Sequence, residues 1–120
     1  MSALQQPNAS TTLMKAFNNA CDSLGITREV KSKILGVNIS TLSRKNLIGF
    51  DETSKTAELQ CHFIRLYRSL FAISGGDNAF MNHWFTTENK ALNGTPALLC
   101  QNIEGLFRTN QYLDAMRGKV

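Results

Sequence analysis

Five short polar or cationic side chains, Ser40, Thr41, Ser43, Arg44 and Lys45, fall within one stretch of six residues. Small hydroxyls can approach base edges and cations can hold phosphate or guanine, so this set has the chemistry of nucleic-acid contact. Arg28, Lys31 and Lys33 lie just upstream, and between Arg28 and Ile48 five cations face a single acid, Glu29. A local excess of that sign attracts a polyanion through counterion release, without by itself conferring sequence preference. A helical hairpin with a solvated basic face would give the same tally.

Other chemistry is sparse. Cys21, Cys61 and Cys100 are odd in number, far apart and in no C-x-x-C pair, which argues against a disulfide framework or a zinc knuckle. They are expected as three buried, reduced thiols. His62 and His83 are too dispersed for a metal site, and Cys61 and His62, adjacent on a helix, point apart. The chain carries no G-x-S-x-G, phosphate-cradling glycine loop or H-E-x-x-H. Neither a metal, a cofactor nor catalysis is expected.

Helices must position the candidate groups. Leu13, Met14, Phe17, Ala20, Cys21 and Leu24 recur at spacings of three and four, predicting a first helix capped by Ser10, Thr11 or Thr12 and closed by Gly25. The polar stretch 1–9 before it, with Pro7, reads as a flexible arm. Thr27 caps a second, short helix with Val30, Ile34 and Leu35 on its apolar side, and Gly36 ends it. Ser40 is the expected cap of a third, with Leu42 and Leu47 inward and Thr41, Ser43, Arg44 and Lys45 outward. Helix, glycine turn, helix over about twenty residues is the layout in which one helix braces the DNA backbone and the next enters the major groove. Lys31 and Lys45 depart from it, standing where an apolar residue is often found.

Thr53 or Ser54 starts the longest helix, striped by Leu59, Phe63, Leu66, Leu70 and Ile73 and stopped at Ser74-Gly75-Gly76. That stripe is heptad-like, and suits either burial inside one protomer or a dimer seam. Asp77 caps a helix carrying Phe80, Met81, Trp84 and Phe85, of which the aromatic pair suits a core. Asn93-Gly94 marks a turn, and Thr95-Pro96 a sharp helix start running into Leu98 and Leu99. Asn102 caps the last helix, whose expected inward set is Ile103, Leu106, Phe107, Tyr112, Leu113 and Met116. No useful length alternates with a period of two, so the fold is expected to be all-α.

The 120 residues suffice for one domain or for two small ones sharing a core, and 42% hydrophobic content argues against wholesale disorder. The formal net charge is +4, with seven Lys/Arg against four Asp/Glu in residues 1–55 and six against five thereafter. Neither a membrane-length apolar run nor a cleavable leader pattern is present, so a soluble, cytoplasmic protein without membrane association is expected.

From residue 50 onward the order FDETSKTAELQCHFIRLYRSLFAI, NHWF, ALNGTPALLC, NIEGLF and YLDAMRGKV resembles the Xre/MbcA/ParS toxin-binding domain of bacterial type II antitoxins. The matching features are Arg65 with Arg68 on the long helix, Trp84-Phe85, the turn Asn93-Gly94-Thr95-Pro96 (close to the family's G-G-x-T-P), Glu104-Gly105 and Gly118. The spacing ILGVNISTLSRK is similar to the Xre-type helix-turn-helix that usually precedes this module, and the resemblance spans residues 26–120. Behind the flexible arm (1–9), it implies a DNA-binding helix-turn-helix domain (10–52) and a helical toxin-binding domain (53–120). DNA contacts would then come from Arg28, Lys31, Ser40, Thr41, Ser43, Arg44 and Lys45. Members commonly pair with RES-domain toxins, which deplete NAD, cover the toxin's active-site cleft and repress their own operon. Carried onto this chain, the last helix with Arg108 and Tyr112, and the tail Arg117, Gly118, Lys119 and Val120, would face the toxin. Arg117 and Lys119 are suited to exclude an anionic dinucleotide. Arg65 and Arg68 could touch the toxin or pair with Glu58 or Glu104. Gly105 could admit a neighbouring helix or simply lie in a loose first turn. A homodimer is expected if paired half-sites are read. The alternative is a stand-alone transcriptional regulator of the same architecture, and a third reading is a protein-binding module that has lost DNA affinity.

Overall fold

The computed structural model describes residues 8–118, which form seven helices. They are α1 (Ala9–Leu24), α2 (Arg28–Leu35), α3 (Ile39–Lys45), α4 (Lys55–Ser74), α5 (Asn78–Thr86), α6 (Pro96–Leu99) and α7 (Ile103–Arg117). Among the described residues there is no strand, only an isolated bridge between Asn89 and Gly94. The all-α expectation holds.

Side-chain oxygens cap most helix starts and satisfy N–H groups that have no partner within the helix. Thr27 accepts from the Val30 amide, Ser54 from Ala57, Asp77 from Phe80 and Asn102 from Gly105. Two caps differ from the sequence expectation. Helix α1 starts from Asn8, which accepts from the Thr11 amide, and α3 starts from Asn38, which accepts from Thr41. In both cases an asparagine, at least as good a cap as Ser or Thr, stands upstream of the hydroxyl residues. Asn8 and Ala9 thus belong to the start of α1, while residues 1–7 of the expected arm lie outside the described residues.

Helix α4 is the element shared by both halves. Phe63 at its centre is fully buried and meets Phe17 of α1 edge-on (5.7 Å between ring centres) and Phe85 of α5 likewise (5.8 Å). Leu66 and Leu70 continue the buried stripe, against a core that includes Met14, Leu24, Leu106 and Leu113. The centre of the heptad-like stripe is therefore spent inside one protomer, while Leu59 and Ile73 at its ends are half-buried. The connection 46–54 is pinned rather than loose. At Gly49 φ is +80°, and a Cβ there would lie 2.1 Å from the Ser10 carbonyl oxygen, so only glycine fits against the start of α1. Asp51 accepts from the Thr53 amide and hydroxyl at 2.8 and 2.6 Å, and these bonds hold its carboxyl below the usual range.

Some expected inward residues face solvent. Leu47 is 81% exposed because α3 ends at Lys45 and the helical period no longer applies. In α7, Leu106 and Leu113 are buried and Tyr112 is half-buried, but Ile103, Phe107 and Met116 are exposed. The cause is Gly105, which faces α6: a Cβ there would lie 1.9 Å from the Leu99 carbonyl oxygen. That contact rolls α7 so that Gly105, Leu106, Thr109, Asn110 and Leu113 point inward. Of the thiols, Cys21 and Cys100 are buried but Cys61 is exposed, and all three are free.

Candidate functional site

Helices α2 and α3 are joined by Gly36 and Val37, whose amides both bond the Ser32 carbonyl. Leu42 is buried and anchors α3, alongside buried Ser32, Ile34 and Leu35 of α2. Anchoring that face turns the other outward: Ser40, Ser43 and Arg44 are exposed, while Thr41 and Lys45 are half-buried. The Arg44 guanidinium donates to the Thr41 hydroxyl at 3.0 Å, and the Ser40 hydroxyl donates to the Asn38 side chain at 3.0 Å.

Arg28, Lys31 and Ser43 come together with Leu42 and Asn46 around a cleft of about 240 Å³ between α2 and α3. Lys31 does not stand free. Its ammonium donates to Asn18 of α1 at 3.0 Å, and Asn18 in turn donates to Asn46 at 3.1 Å. This polar chain ties the hairpin to α1, and explains a lysine where an apolar residue is usual. Among the described residues the ion pairs are Lys55–Glu58 and Arg65–Asp114, with the His62 ring 3.9 Å from Glu58, all on α4 and α7. None of these pairs involves a cation of α2 or α3, although the Lys45 charge lies close enough to Asp51 to help lower its carboxyl.

The C-terminal candidates are scattered and largely engaged. Arg108 donates to the Leu92 carbonyl, holding the loop closed by the Asn89–Gly94 bridge. In that loop Asn93 takes φ 56°, a left-handed conformation asparagine tolerates. Tyr112 stacks on Trp84 with ring centres 6.5 Å apart, so Trp84 is half-buried while Phe85 is core. Arg117 donates to the buried Ser69 hydroxyl at 3.4 Å. Gly118 closes α7, whereas Lys119 and Val120 lie outside the described residues.

Arg65 pairs with Asp114 rather than with Glu58 or Glu104. Arg65, Arg68 and Arg117 line one groove of about 940 Å³, together with Cys61 and Glu52. Sequence spacing pairs the first two; only the packing of α7 on α4 brings the third. A second groove, about 480 Å³, is formed by Leu59 and His62 of α4 with Ile103, Leu106 and Phe107 of α7. It was missed from the sequence because Ile103 and Phe107 fit a helical inward pattern as well as Leu106 does.

Among the described residues no group of three or more His, Cys, Asp or Glu could hold a metal, and no helix is long and apolar enough to cross a membrane. Burial pushes the Cys21 and Cys100 thiols up to about 12, leaving them unreactive.

Residues 3–59 match the family of antitoxin Xre-like helix-turn-helix domains, and residues 69–119 match the antitoxin Xre/MbcA/ParS C-terminal toxin-binding domain. No curated protein matches the chain. With the two matched regions in tandem, and α2–α3 and α5–α7 folded where they fall, the chain belongs to the Xre/MbcA/ParS antitoxins, which join a helix-turn-helix to a toxin-binding domain.

Proposed function

We propose that this antitoxin neutralises a RES-type, NAD-depleting toxin of a type II system and represses its own operon as a cytoplasmic homodimer. The observation that carries the reading is the tandem on one chain of a helix-turn-helix and a toxin-binding domain. The division into residues 10–52 for DNA and 53–120 for toxin follows α1–α3, apart from Ala9 at the start of α1, and α4–α7. DNA contact is assigned to Arg28, Lys31, Ser40, Thr41, Ser43, Arg44 and Lys45, supported by the absence of an ion pair to any of those cations among the described residues. Two copies present the two recognition helices that paired half-sites require.

Toxin contact is assigned to Arg108, Tyr112 and the segment Arg117, Gly118, Lys119 and Val120. Arg117 and Lys119 are cations suited to a cleft that takes an anionic dinucleotide. Co-expression with the product of the neighbouring gene, scoring growth, cellular NAD and co-purification, tests the reading. Rescue of growth and NAD with a stable complex supports it. A harmless neighbour that does not co-purify leaves a stand-alone regulator instead. Deleting Arg117–Val120 is expected to weaken rescue while far-UV circular dichroism stays unchanged; full protection by the truncated protein would sink the role given to that segment.

A further inference from the structure

Helix α7 buries polar side chains and exposes apolar ones. Thr109 and Asn110 are 0% and 1% exposed, whereas Ile103 and Phe107, one turn apart, are 70% and 57% exposed. The buried pair is held inside the chain, Thr109 donating to the Gly105 carbonyl and Asn110 to the His62 carbonyl. The apolar pair, Ile103 and Phe107, stays largely uncovered, and large apolar surface left in water forgoes the main driving force of burial. Ile103 and Phe107 stand over the groove floored by Leu106 and Leu59, with Lys55 and Glu58 at its rim. An apolar centre inside a charged rim is the anatomy of a protein-binding surface.

We infer that this α4–α7 groove is where the toxin docks, inserting an apolar ridge of its own between Leu59 and Phe107; the inference rests on the antitoxin reading. Two observations commit the groove to the toxin. The α7 wall of the groove, Ile103, Leu106 and Phe107, lies inside the region matched by the toxin-binding domain, while its α4 wall from Lys55 to His62 precedes that region. The polar candidates on the same helix, Arg108, Tyr112 and Arg117, are each engaged within the chain, whereas Ile103 and Phe107 are left uncovered. The groove supplies the apolar anchor, and Lys55 and Glu58 at its rim supply orientation.

The test measures the affinity of the full chain for the neighbouring gene's toxin with Phe107→Asp, and separately with Ile103→Lys. Thermal unfolding and light scattering of each antitoxin alone accompany it. Both side chains are exposed, so the melting temperature is expected to hold while affinity falls at least about thirty-fold, as for an interface hot spot. Phe107→Leu is expected to keep most of the affinity. Undiminished binding by both charged variants overturns the inference and leaves the antitoxin reading standing. So does a wild-type dimer that the variants split into monomers while toxin binding persists, since the groove would then join two copies. A wild-type protein that binds no neighbouring product overturns both.

Discussion

Gly105 shows how one missing methyl group sets a surface. The Leu99 carbonyl oxygen occupies the space a Cβ would need, so Gly105→Ala must push α6 from α7. Overpacking of this kind costs about 1–3 kcal/mol or more, despite alanine's better helix propensity. Urea unfolding should show that loss, and an unchanged midpoint would mean the two helices part easily. The cysteines divide by environment rather than by spacing. In the native protein an alkylating reagent is expected to modify Cys61 while Cys21 and Cys100 react only after denaturation, as read by mass spectrometry. Burial raises those two thiols from 9.0 to about 12, so the unfolded chain gives up their protons first. Their contribution to stability is complete below about pH 9 and declines as the pH rises toward 12. A stability curve flat from pH 8 to 11 would contradict this.

At the scale of the element, α3 has a buried side and a free side, and the two can be tested apart. Arg44→Ala with Lys45→Ala removes two cations from the outward face and leaves Leu42 and the Asn38 cap in place. Operator binding in a salt-dependent mobility-shift assay is expected to disappear, with stability changed by no more than about 0.5 kcal/mol and toxin binding intact. Equal loss of DNA and toxin binding would indicate misfolding instead. Asn38→Ala, in contrast, removes the cap and should cost about 1 kcal/mol.

Across the whole molecule, α4 couples the two matched regions. The Phe17–Phe63–Phe85 chain joins α1, α4 and α5 in one apolar cluster, so neither half has a core of its own. Unfolding followed by Trp84 fluorescence in the C-terminal part and by far-UV circular dichroism over the whole chain should therefore coincide. Phe63→Ala is expected to lower stability by about 3–5 kcal/mol in both signals. Separate transitions would show two independent units.

The order and type of the helices were legible in the sequence, because a helix is selected by residues three and four apart and by a cap at its edge. Thr27, Ser54, Asp77 and Asn102 cap where they were expected, and the basic residues of α3 face outward because Leu42 is the anchor. What spacing could not supply was the roll of a helix about its axis. Ile103, Leu106 and Phe107 fit one stripe equally well, and the packing of α7 on α4 and α6, closest where Gly105 meets Leu99, decides which of them faces the core. The choice of Asp114 for Arg65, 49 residues away, follows from the same packing of α7 on α4. Local periodicity determined the elements; close packing between distant ones decided which surfaces remained for a partner.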